Sequence, residues 1–187
     1  MKTKLKTLSL ILLCIFLISC SSDDDNSGGN NSVNQLPEAT QIGANTAGAL
    51  VDGQPITPKG GGINPNLIAF YQFVDGAYFF NVGILNSENN ITKSIKVFAN
   101  ENIIEEDEVY TLNKDDNSVG YGGNYSILSN ETDSFYFTNT DFTGELIITH
   151  LDEQNRIVSG TFWFDAVNED GEVVEVREGR FDVTYSQ

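Results

Sequence analysis

From Leu36 to the end of the chain, apolar residues come in short runs separated by turn-forming residues, with no sustained helical period. That pattern is the signature of an all-β domain. Strands are expected at Thr46–Val51, Gln54–Thr57, Leu67–Val74, Ala77–Leu85, Ile91–Ala99 and Val109–Leu112. Asp52-Gly53 and Asp75-Gly76 carry the preference of two-residue type I′ hairpin turns. Pro55 and Pro58 cannot donate to a ladder, so the first hairpin belongs at a sheet edge or rim. Tyr121 to Tyr125, with two adjacent glycines, reads as a turn-rich stretch. Phe135–Thr138, Gly144–Leu151, Ile157–Ala166 and Glu172–Tyr185 read as a meander, with Gly179 marking a bulge or bend. About ten antiparallel strands in residues 36–187 predict one β-sandwich or flattened β-barrel.

The first 35 residues follow a different pattern. Lys2, Lys4 and Lys6 precede an apolar stretch, Leu8 to Ile18, broken only by Ser9. A bilayer core needs about 20 apolar residues, so the stretch is short for a membrane span and fits a signal-peptide core. It ends in Leu17-Ile18-Ser19-Cys20, which resembles a bacterial lipoprotein box. That resemblance implies removal of residues 1–19, diacylglycerol on the Cys20 sulfur and a third acyl chain on its new amine. An ordinary secretory signal followed by a free thiol would share part of the pattern. Ser21-Ser22-Asp23-Asp24-Asp25 follows directly and resembles the surface-export signal of Bacteroidota lipoproteins. Ser21 to Gln35 also reads simply as a solvated tether, which is compatible with that signal, and a periplasm-facing domain is the alternative location. Residues 20–35 have the composition of a flexible acidic and polar linker, which as a coil spans roughly 20 Å.

Within the domain, Leu36-Pro37-Glu38-Ala39-Thr40-Gln41, Gly43-Ala44-Asn45-Thr46, Gly48 and Val51-Asp52-Gly53 resemble the opening of a Bacteroidota (flavobacterial-type) surface lipoprotein family of unknown function. Ser159-Gly160-Thr161-Phe162, Phe164, Ala166 and Gly179-Arg180-Phe181-Asp182-Val183 with Tyr185 resemble its end. The resemblance implies a location and a β-rich fold, and no activity.

Ten basic residues against 27 acidic ones exclude the basic surface that nucleic acid requires. With Lys2, Lys4 and Lys6 removed, seven basic residues face 27 acids, a net charge of −20. Such a domain is repelled by anionic lipid, so the membrane is a partner only through the N-terminal lipid. Neutral glycans, cationic groups or divalent ions suit it better, and a glycan or an envelope protein is the expected partner. Two cysteines and one histidine leave no zinc cluster or disulfide framework, and no cofactor motif is present.

His150 is the only imidazole, placed in phase with Leu146 and Ile148. The many acids do not single out a glycosidase pair. Asn168-Glu169-Asp170-Gly171-Glu172 fails as a calcium loop, because Ala166 and Arg177 fall where ligands should stand. Asp115, Asp116 and Asn117 could serve an irregular site. Trp163 opposes Phe162 and Phe164 on its strand, flanked by Thr161 and Asp165, and Tyr136 opposes Phe135 and Phe137. Trp163, Tyr136 and Asp165 are therefore the candidate ligand platform, suited to stacking on a sugar ring. A non-enzymatic binding domain is the first expectation. A carboxylate-based hydrolase and a lipocalin-like carrier are the alternatives.

Overall fold

The structure is a computed structural model and describes residues 30–60 and 65–187. The signal segment, Cys20 and the run Ser21, Ser22, Asp23, Asp24 and Asp25 lie outside the described residues. A helical turn, α1 (Asn30–Val33), comes first, within the stretch expected as linker. The strands are β1 (Thr46–Val51), β2 (Gln54–Ile56), β3 (Leu67–Val74), β4 (Ala77–Glu88), β5 (Ile91–Asn100), β6 (Val109–Leu112), β7 (Gly120–Leu128), β8 (Ser134–Phe137), β9 (Gly144–Asp152), β10 (Ile157–Val167) and β11 (Val173–Thr184).

All eleven strands belong to one antiparallel, mostly meander sheet, in the order β2-β1-β11-β10-β8-β7-β5-β4-β3, with β9 also on β10 and β6 on β9. The proline-bearing β2 is at an end of that order, as its missing amides require. The sheet curls but is not closed. Isolated bridges tie Lys59 to Asn86 and Phe70 to Ser186, where the rims approach each other. At the second, the Tyr71 amide donates to the Ser186 carbonyl at 3.0 Å, and the Ser186 amide to that of Ala69 at 3.0 Å.

Among the described residues three hairpins turn on residue pairs with positive φ: Asp52-Gly53, Asp75-Gly76 and Asn89-Asn90. Both residues of a type I′ turn need that region, which Asp, Asn and Gly reach most readily. The two Asp-Gly turns are those expected from the sequence.

The concave face is filled by one apolar cluster. It includes Phe80, Val82 and Ile84 of β4, Ile95 and Val97 of β5, Phe162 and Phe164 of β10, and Phe181 and Val183 of β11. Burial of each such side chain contributes about 1.5–3 kcal/mol.

Two expectations need correction. Tyr121 to Tyr125 is not a turn but the middle of β7, between β5 and β8. Its glycines are there for space: a Cβ on Gly123 would lie 2.7 Å from the Phe164 ring, and one on Gly122 would strike Phe98 and the Lys114 carbonyl. Nor does β8 belong to the expected meander, which holds for β9, β10 and β11 alone. β8 pairs with β7 and touches β10 only at Val167, while β9 takes the rest of that edge of β10.

Candidate functional site

Trp163 and Asp165 lie on the convex face of β10, as alternation predicts, and Phe162 and Phe164 stack against each other inside. Trp163 is 38% exposed. Its indole Nε1 donates to Glu145 Oε2 on β9 at 3.2 Å. Arg177 of β11 places its guanidinium 5.5 Å from the Trp163 ring centre and donates to Asp165 Oδ1 at 2.6 Å. Glu175 adds a second carboxylate 3.6 Å from the same guanidinium. The result is a ring edge, a cation and carboxylates that already satisfy one another on an open surface.

Tyr136 is not part of it. Its ring is only 7% exposed and packs on Tyr125 with centroids 5.8 Å apart. The cause is register. Tyr136 sits directly opposite Tyr125 across β7 and β8, and residues directly opposite share a face. Tyr125 faces the core, so Tyr136 does too, and Phe135 is the residue left exposed. The Tyr136 hydroxyl reaches out to donate to Glu172 Oε2 at 3.3 Å. Burial, and then the Glu172 charge, raise its pKa. The expected platform of Trp163, Tyr136 and Asp165 therefore keeps two of its three members on one face.

His150 is also displaced from its expected phase. Gly160 pairs with Ile148 and Ser159 with His150, so Thr149 is the extra residue of a bulge. Beyond it His150 meets Glu106, with Nδ1 3.1 Å from Oε2, while the same oxygen accepts the Leu151 amide at 2.7 Å. Asp115 is committed to its own loop, accepting from the Asn117 amide at 3.2 Å and the Ser118 hydroxyl at 2.7 Å. Asp116 lies 3.4 Å from the Lys96 ammonium. Asn168 organises the β10–β11 turn through the amides of Asp170 and Glu172. Among the described residues no group of three or more His, Cys, Asp and Glu side chains is gathered as a metal site requires.

The most highly organised polar group is Asp182, which sequence reasoning did not single out as a site. It alternates outward in β11 between the core residues Phe181 and Val183, yet it is 1% exposed. Residues 40–44 cross over it as a strap. Oδ2 accepts from the Thr40 hydroxyl at 2.6 Å and from the amides of Ile42 and Ala44, each at 3.0 Å. Oδ1 accepts from the Gly43 amide at 2.8 Å and the Ser159 hydroxyl at 2.8 Å. Burial pushes this carboxyl up, but the donors from Thr40, Ala44, Ile42 and Ser159 outweigh it and hold the pKa at about 2. Next to it, Asn45 (φ 56°) accepts the Thr184 amide and hydroxyl on its side-chain oxygen. The signal was present in the sequence: Thr40, Gly43 and Ala44 lie in the opening motif, and Ser159 and Asp182 in the closing one.

A family model described as Domain of unknown function (DUF6252) matches residues 90–183, half of the 187-residue chain. The chain belongs to the DUF6252 family. No curated protein and no solved structure matches it. The DUF6252 span runs from the β4–β5 turn to Val183, and so contains Ser159, Trp163, Asp165, Arg177 and Asp182. The strap that closes on Asp182 lies upstream of that span. Carboxylate and strap are therefore contributed by different parts of the chain.

Proposed function

We propose that this protein is an outer-membrane lipoprotein, anchored through lipid on Cys20 and displayed at the cell surface. Its DUF6252 domain acts as a non-enzymatic binding module for an extracellular ligand, a glycan or an envelope protein. The observation that carries the reading is the continuous run from Lys2 to Asp25: basic start, apolar core, Leu17-Ile18-Ser19-Cys20, then Asp23, Asp24 and Asp25. A thiolate is the nucleophile able to take a diacylglycerol, and more than one acyl chain is needed for stable anchoring. The domain would then be held to the membrane without a spanning helix. Among the described residues no helix is long and apolar enough to cross a membrane.

The binding role, rather than a hydrolytic one, draws support from the one buried acid among the described residues. Asp182 is ionised throughout the physiological range and its oxygens are saturated, so it has no proton to give. A carrier role draws no support from the concave face, which side chains fill.

The test has two arms. Metabolic labelling with a clickable palmitate analogue should mark the wild-type protein and leave a Cys20→Ala variant unmarked. An unmarked wild type contradicts the anchor. Protease shaving of intact cells should release peptides of residues 36–187, and their release only after outer-membrane permeabilisation would place the domain in the periplasm instead.

A further inference from the structure

The β3–β4 hairpin carries a second aromatic set on the described surface, and its outermost ring, Phe73, is more exposed than Trp163. Phe73 and Tyr78 face each other directly beside the Asp75-Gly76 turn, with ring centroids 4.8 Å apart. Phe73 is 63% exposed. Tyr78 stacks in turn on Tyr71 at 5.3 Å, and Tyr71 meets Tyr185 edge to face at 5.9 Å. These rings border an open recess of about 420 Å³, completed by Gln72, Glu153 and Gln187. That volume lies within the roughly 300–1,000 Å³ of small-molecule sites.

An independent observation points to a ligand. Tyr185 is 4% exposed, and its hydroxyl is the one buried side-chain polar atom among the described residues without a hydrogen-bond partner. A buried donor of this kind is destabilising unless something satisfies it. Burial and then the Glu153 and Asp152 carboxylates raise its pKa, so the phenol keeps its proton and remains a donor. The occupant must present an apolar face to the rings and polar groups to a phenol, a carboxylate and two amides. Among the described residues no cation lines the recess, and the chain as a whole carries −17, so an anionic ligand is disfavoured.

We propose that this recess binds a neutral sugar ring, stacked on the exposed Phe73 ring, with its hydroxyls hydrogen-bonded to Glu153 and, on displacing the side chains that cover it, to the Tyr185 hydroxyl. The proposal rests on the binding-module reading and names its site. The Trp163 patch is the poorer candidate because its indole NH and one ring face are already engaged by Glu145 and Arg177.

The experiment is affinity electrophoresis of the detergent-solubilised full chain through gels containing amylopectin, xylan, mixed-linkage β-glucan or galactomannan. The wild type should be retarded by at least one of these neutral polysaccharides. Phe73→Ala should weaken that binding at least tenfold and Tyr185→Phe at least threefold, with unchanged far-ultraviolet circular dichroism, while Trp163→Ala should leave it intact. Binding to none of the four, equal binding by Phe73→Ala or Tyr185→Phe, or loss on Trp163→Ala would overturn the proposal. So would a dimer in light scattering that Phe73→Ala dissociates, since a second copy would then occupy the recess. Palmitate labelling and shaving report on the anchor separately, so a labelled, surface-exposed protein that fails these gels defeats the site and leaves the anchoring intact.

Discussion

Strands β10 and β11 carry two polar clusters on the same convex face, and the clusters have opposite physical characters. At one end Asp182 and Ser159 lie under the residue 40–44 strap, and the carboxylate is buried and accepts five hydrogen bonds. At the other end Asp165, Trp163 and Arg177 stay open to solvent, with the Asp165 and Arg177 side chains 34% and 36% exposed. Both clusters contain a carboxylate with a partner at 2.6 Å. Distance therefore does not decide their worth. Burial and the number of donors do, because water screens the open pair and does not reach the covered one.

The largest expected effect follows from emptying the covered cluster. Asp182→Ala leaves three strap amides and two hydroxyls without their acceptor, and should lower unfolding stability by about 3 kcal/mol or more. A urea titration checks this. A loss below 1 kcal/mol would mean that the strap finds other partners.

Acid should act on the same cluster. The folded pKa of Asp182, about 2, lies below the ordinary value of 3.8. Its contribution is therefore fully present above about pH 4 and is lost as pH falls through 2. The lost contribution amounts to about 2 kcal/mol. Stability measured from pH 5 to pH 2 should fall more steeply for the wild type than for Asp182→Asn. Parallel curves would remove Asp182 as the source.

A smaller effect is expected at the strap's exit. Asn45→Ala removes two bonds from Thr184 and places Ala at a φ of 56°, for a loss of about 1–2 kcal/mol. Thermal unfolding reads it directly, and a melting temperature equal to the wild type's would show that the strap is held without Asn45.

The smallest effect belongs to the open cluster. A double-mutant cycle on Arg177→Ala and Asp165→Ala should give a coupling of about 1 kcal/mol or less, falling with salt. A salt-insensitive coupling above 2 kcal/mol would erase the contrast between the two ends.

The same contrast explains which parts of the molecule were legible in the sequence. Asp52-Gly53 and Asp75-Gly76 announce their turns locally, and the strands beside them begin or end where expected. Trp163 and Asp165 point outward as simple alternation says. Strand β7 was hidden because Gly122 and Gly123 look like turn residues, although they are required by Phe98 and Phe164 from distant strands. Missing β7 reversed Tyr136, whose orientation is set by Tyr125 across the ladder. Asp182 stands in the closing motif, but its burial is hidden for a related reason. Alternation puts it on the outer face, and only a strap 138–142 residues earlier in the chain covers it. The aromatic recess likewise joins a hairpin to the C-terminal strand, with no local motif to mark it.

Asp182, buried under five donors, closes the fold by fastening the residue 40–44 strap to β11. Carbon-detected NMR titration of the Asp182 side-chain carboxyl tests that claim most directly. A midpoint near 2 in the folded protein is the predicted result. A midpoint near 4, the value of a solvated aspartate, would contradict it.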